Sequence, residues 1–137
     1  MSEKSVFTKV RLGELPGEVL LEEDNLFVMM TIAPHSPGHC LIIPTDQVSN
    51  FEDVPAEVFA RMMLVAQQLG RLLKHLYVSP KVAMIAAGME VEHTHIHLFP
   101  LHQESDISFS AAKHPPMTEI TDEADKIRAV LRESPIV

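Results

Sequence analysis

Residues 92–100 read "EHTHIHLFP", and their periodicity decides how the rest of the chain is read. His93, His95 and His97 stand on alternate residues. Successive side chains of a strand point to opposite faces. A strand would therefore place the three imidazoles on one face with Phe99, and Thr94, Ile96 and Leu98 on the other. A helix would scatter the rings, because each residue turns the chain by about 100°. The β-branched Thr94 and Ile96 also favour a strand. The stretch predicts a strand carrying a row of imidazoles and ended by Pro100, which has no N–H for the ladder.

A single histidine on such a face is ordinarily just a hydrogen-bonded residue. Three in register gain nothing for folding, since protonated imidazoles repel. Two chemistries use such a row. Neutral imidazole nitrogens ligate metals. They also serve as nucleophiles and proton donors toward a phosphate or acyl group.

Outward from the triad, the chain has 137 residues, enough for one domain with a core of its own. Cys40 is the only cysteine, so no internal disulfide forms, and a reducing, cytoplasmic setting is expected. The start, "MSEKSVFTKV", lacks the apolar run of a secretory signal, and no stretch has the ~20 apolar residues that span a bilayer. No membrane partner is expected. With 19 acidic against 11 basic residues the formal charge is −8. That balance disfavours nucleic acid as a partner, because such binding relies on Lys and Arg. It leaves a small phosphorylated ligand open, which local donors decide.

Upstream, 18–23 and 26–31 read as two strands joined at Asp24-Asn25, a turn-forming pair. "APHSPGH", 33–39, is a proline- and glycine-set loop, and "CLIIP", 40–44, a short apolar strand. From Pro55 to Leu76, apolar residues recur at three- and four-residue steps and predict one long amphipathic helix, with its cap near Asp53. "KVAMIAA", 81–87, reads as a strand, and 91–99 as the last strand. A short C-terminal helix is expected to begin at a Thr121 cap, after an irregular 108–117, and another short helix fits before Gly13. The order is β-β-β-α-β-β-α. Short links between strands make this an α+β fold, an antiparallel sheet of about five strands with helices on one face.

"HTHIHLF" resembles the motif of the histidine-triad (HIT) family, and "PGHCLIIP" is similar to that family's Gly-His-x-aliphatic-aliphatic-Pro segment. "GELPGEVLLEEDNLFVMMTIAP" has the layout of the family's N-terminal hairpin. The resemblance covers about residues 5–100 of a single 1–137 domain and leaves 101–137 as a C-terminal extension. It implies a HIT-like fold, a homodimer, and nucleotide hydrolase or transferase chemistry at an α-phosphate. It implies His95 as the nucleophile, forming a nucleotidyl-histidine that water resolves. It gives His97 and His39 to phosphate oxygens or the leaving group, and His93 to orienting the others. It implies substrate contacts at Met29, Thr31, Ile32, Gly88, Met89 and Glu90.

The departures are specific. Many family members hold zinc through Cys-x-x-Cys near the N-terminus and a histidine after the "IIP" strand. Ser5, Thr8 and Gln47 stand there, so no metal and no other cofactor is expected. Thr31 stands at the family's ribose-binding acid, and Met89 and Glu90 replace a Gln and a hydroxyl. Two rival readings follow from these residues: a metalloprotein ligated by triad histidines and His39, and a nucleotide-binding module with little turnover. Cys40 reads as a small buried core thiol. His35, His75, His102 and His114 read as surface histidines, and Glu22-Glu23 and Asp122-Glu123 as solvated pairs.

Overall fold

The structure is a computed structural model that describes residues 3–137. A six-residue helix, α1 (Val6–Arg11), comes first. Ser5 caps it, its hydroxyl accepting the Thr8 N–H at 3.1 Å. Strands β1 (Val19–Glu22), β2 (Leu26–Met30) and β3 (Cys40–Pro44) follow, then the long helix α2 (Ala56–Leu76), strands β4 (Lys81–Ile85) and β5 (Ile96–Leu101), and helix α3 (Met117–Glu133). The five strands form one antiparallel sheet in the order β1-β2-β3-β5-β4. The expected α+β class holds, as does the β-β-β-α-β-β-α order, preceded by the short helix that fits before Gly13. Among the described residues, no helix is long and apolar enough to cross a membrane.

Every residue of β2 and β3 is buried, so the central strands need cover on both faces. On one face Leu26, Val28, Met30, Cys40 and Ile42 pack under α2 and α3. On the other, Phe27, Met29, Leu41 and Ile43 pack with Phe7 of α1. The expectation of helices on one face alone is therefore corrected. Α1 covers the second face with a single buried phenylalanine, too short a signal for helical periodicity to show.

Four boundaries also differ. The last strand begins at Ile96, not Val91, so His93 and His95 precede the ladder. Pro100 does not end it. Val82 still pairs with Pro100, and Lys81 with Leu101. The Pro100 carbonyl accepts the Ser36 hydroxyl at 2.6 Å, on the side away from β4. The proline's missing N–H falls on that same side, past the end of β3, where no ladder bond is lost. Helix α3 starts four residues earlier than Thr121, at Met117 behind Pro116. Instead of capping, the Thr121 hydroxyl donates to Glu18 at 2.9 Å. Likewise Asp53 ends a single 3-10 turn, and Pro55 occupies the cap position of α2 without a side-chain bond.

The C-terminal extension is part of the core. Ile120, Ala124 and Ile127 of α3 are buried against the sheet. Each such isoleucine contributes roughly 2 kcal/mol relative to exposure. Arg128 fixes the helix to the start of β1, meeting Glu18 at 2.7 Å and the Val19 carbonyl at 3.0 Å.

Candidate active site

The histidines lie on the α1 face of the sheet. Register sets this: His97 opposes Leu41, which opposes Met29, so all three side chains share one row. Next to that row Thr31 lies beside His39, its N–H donating to the His39 carbonyl at 3.3 Å. Phe99 is fully buried between the His35 and His39 rings, 4.7 Å from each.

Hydrogen bonds fix the tautomer of each ring. The Nε2 of His93 lies 2.7 Å from the Pro44 carbonyl, which can only accept. Its Nδ1 therefore accepts, from the Ser5 hydroxyl at 2.6 Å. The ring is fully buried against Phe7 and Phe27. Burial lowers its basicity, with the His95 and Arg11 charges adding to the effect and the Pro44 carbonyl opposing it. Both nitrogens are thus spent on structure. What His93 offers the site is its carbonyl, which accepts the Nδ1–H of His95 at 2.8 Å. That leaves the His95 Nε2 as an unprotonated lone pair. Burial lowers the His95 pKa too, opposed by the His93 carbonyl and the Glu90 charge.

A second chain of bonds orients His97. The backbone N–H of His35 donates to His39 Nδ1 at 3.0 Å, so the neutral His39 ring carries its proton on Nε2. That proton lies on the 3.0 Å bond to His97 Nδ1. The neutral His97 must then hold its own proton on Nε2, where it is a donor. Burial pushes His97 down to about 4, with the His95 and His35 charges in support. Burial drives His39 further, to about 2, helped by His97, His35 and His95. The arrangement is one bare nucleophilic nitrogen on His95 beside one N–H donor on His97, with ring centroids 4.9 Å apart.

Two hollows flank the His95 ring. One, of about 210 Å³, is lined by Ser49, Asn50, Phe51 and Glu52 as well as Thr94. The other, of about 220 Å³, is lined by His97, Met89, Glu90 and Phe109. Ala87 and Gly88 line both. Gly88 has φ +70, a turn that suits glycine. The structure thus brings Gly88, Met89 and Glu90 to His95 and His97. It does not bring the other three named substrate contacts there. Met29 is buried in the apolar cluster. Thr31 accepts the Ala33 N–H at 3.1 Å and lines a separate hollow with Met30, Lys113 and Ile120. Ile32 is exposed.

His35 is not a surface residue. It is 2% exposed, donates Nδ1–H to the Asp106 carbonyl at 2.7 Å and packs edge-on to His39. Its place in the proline loop, four residues before His39, is the one sequence signal that could have found it. Phe109 stands edge-on to both His35 and His97, at 5.3 and 5.6 Å. Nothing in its local sequence marked it, because the contact depends on how the extension folds back. His75, His102 and His114 are exposed. Cys40 is buried, donates to the Gly38 carbonyl at 3.2 Å, and burial raises its thiol to about 12, which makes it inert.

The positions of the family's structural zinc do not fit a metal. Ser5, Thr8, Gln47 and His93 form a hydrogen-bonded cluster instead. Besides the Ser5–His93 bond, Gln47 accepts the Ser5 N–H at 2.9 Å, and the Thr8 hydroxyl lies 3.3 Å from that of Ser5. Hydroxyls and an amide are poor zinc donors. Among the described residues, no three His, Cys, Asp or Glu side chains are placed to hold a metal ion.

The alternating triad, its Gly-His loop and this sheet define a class of protein, and the comparisons agree. The sequence matches the HIT domain family over residues 12–104. The chain belongs to the HIT domain family, and relatives similar to it include proteins named purine nucleoside phosphoramidase and AP-4-A phosphorylase. Purine nucleoside phosphoramidase of Escherichia coli is 30% identical over 104 residues, covering 72% of this chain and 87% of the relative. An uncharacterised HIT-like protein of Methanocaldococcus jannaschii is 25% identical over 124 residues, covering 86% of this chain and 96% of the relative. The crystal structure of a Hit-like protein from Bartonella henselae superposes with a TM-score of 0.80 at 25% identity, covering 96% of this chain and 99% of that one.

Proposed function

We propose that the chain is a nucleotidyl hydrolase or transferase working at an α-phosphate through a nucleotidyl-His95 intermediate. Its substrates would be of the nucleoside phosphoramidate or dinucleoside polyphosphate type. The observation that carries this reading is the 2.8 Å bond from His95 Nδ1–H to the His93 carbonyl, which leaves Nε2 bare beside two hollows. In-line attack forms the Nε2–P bond and breaks the bond from phosphorus to the leaving group. The imidazolium that forms keeps its Nδ1–H on the His93 carbonyl. The His97 Nε2–H donates to the leaving atom, which departs with a proton taken from water. Water then attacks phosphorus and the electron pair returns to His95 Nε2. Over the cycle one water hydrogen ends on the leaving group, and the hydroxyl stays on the nucleotide.

The metalloprotein reading finds no support in the ring geometry. His97 Nδ1 and His39 Nε2 point at each other, and His93 has no free nitrogen. A binding module with little turnover draws on the carboxylates in the hollows, Glu52 and Glu90. A screen of purine nucleoside phosphoramidates and dinucleoside polyphosphates decides between them. Turnover by wild type and none by His95→Ala supports catalysis, whereas tight binding without turnover supports the module.

The same reading includes a homodimer. Β4 is an edge strand, with Met84 exposed on it and Leu64 exposed on the neighbouring α2. An unpaired edge with apolar side chains suits pairing with a second copy. Sedimentation equilibrium at micromolar concentration should show a dimer, and a monomer alone would remove this element.

A further inference from the structure

We infer that the hollow walled by His97, Met89, Glu90 and Phe109 is a leaving-group subsite that selects a cationic leaving group and rejects polyphosphate. The inference rests on the reading of the site given above and narrows its substrate class.

The position comes from the donor geometry. A group leaving phosphorus departs opposite the attacking Nε2 of His95 and needs hydrogen-bond donation as its bond breaks. The fixed donor is His97, and His97 lines this hollow, not the one beside Asn50. The walls set the chemistry. Neither hollow is lined by lysine or arginine. This one carries the carboxylate of Glu90, close enough for its charge to act on His95. A polyphosphate tail would place further negative charge there without a counter-ion. A leaving amine bearing a second, remote ammonium would meet a carboxylate instead. The remaining walls suit such a group. Met89 is 91% exposed and Phe109 46% exposed, an apolar sleeve for a short alkyl chain with an aromatic face that can attract a cation.

Phe109 lies outside the stretch matched to the family, residues 12–104. It is held there by the 3-10 turn Phe109–Ala111 and by the neighbouring bond from the His35 Nδ1–H to the Asp106 carbonyl. The extension therefore supplies one wall of the subsite as well as core.

The test uses three adenosine substrates at about 20 mM salt: the phosphoramidate of 1,4-diaminobutane, the neutral phosphoramidate of butylamine, and a dinucleoside tetraphosphate. One unit-charge contact at about 4 Å in water corresponds to roughly a fivefold preference. The wild type should favour the diaminobutane compound by at least about fivefold in kcat/KM over the butylamine compound, and turn over the tetraphosphate least. Glu90→Gln should abolish the preference, as should about 0.5 M salt, which screens exposed charges. The same two phosphoramidates are titrated calorimetrically into His95→Ala. That reads the charge preference even if no compound is turned over, so failure of the reaction and failure of the subsite give different results. Equal affinity for the two amines, or a preference that survives Glu90→Gln, overturns the inference.

Discussion

Lowering the pH from 7.5 to 5.5 should destabilise the fold in proportion to the number of histidines it keeps neutral. The unfolded chain holds each imidazole near 6.5. Folding depresses it, mainly by burial, to about 4 for His97 and about 2 for His39, and lowers His93 and His95 as well. Below 6.5 the unfolded state takes up protons that the folded state refuses. Stability is therefore complete above the unfolded value and is lost as the pH falls below it, until the folded value is reached. Across this window each histidine that stays neutral in the fold costs about 1.4 kcal/mol. His39 and His97 together cost about 3 kcal/mol, and His93 and His95 add to that. Urea unfolding at fixed protein concentration, repeated every half unit of pH, measures the slope. His39→Gln should reduce the loss by about 1.4 kcal/mol. A flat profile between 7.5 and 5.5, or an unchanged slope in that variant, would refute a neutral, proton-relayed cluster.

Other perturbations read single contacts. Ser5→Ala removes the cap of α1 and leaves the buried His93 Nδ1 unpaired, and should cost about 2–4 kcal/mol by thermal denaturation. It should also lower kcat more than it raises KM, because the carbonyl that orients His95 loses its anchor. A loss below about 0.5 kcal/mol would show that the ring needs no such anchor. Gly38 has φ +93 and faces the Tyr77 ring so closely that a Cβ would overlap it. Gly38→Ala should therefore cost about 1–3 kcal/mol in urea unfolding and displace His39 next to it.

Much of the site was legible because chemistry and periodicity agreed. The alternation of 93, 95 and 97 gave the face, and the Gly-His segment gave His39, whose glycine proves to be required by both φ and Tyr77. The apolar runs 26–30 and 40–44 already demanded cover on two sides, yet α1 is too short for its period to announce which element supplies it. What stayed hidden depends on contacts distant in sequence. His35 reads as a loop histidine until Asp106 and Phe99 are folded around it, and Phe109 reads as one aromatic in an irregular stretch. In residue type His93 is equivalent to its neighbours; the family resemblance gives it the orienting part, and the bonds to Ser5 and Pro44 supply a physical reason. The end of β5 was misplaced because a proline's missing N–H costs nothing where the neighbouring strand has already stopped.

Trapping the adduct reports directly on attack at phosphorus by the bare Nε2 of His95. Wild-type protein is mixed with an adenosine phosphoramidate, quenched within a turnover under conditions that preserve acid-labile P–N bonds, digested, and mapped by mass spectrometry. The adenylyl group should sit on His95 and be absent from His95→Ala, while His97→Ala still forms it at a rate lower by about 10²–10³. An adduct on His93 or His97, or near wild-type turnover by His95→Ala, would rule out His95 as the nucleophile.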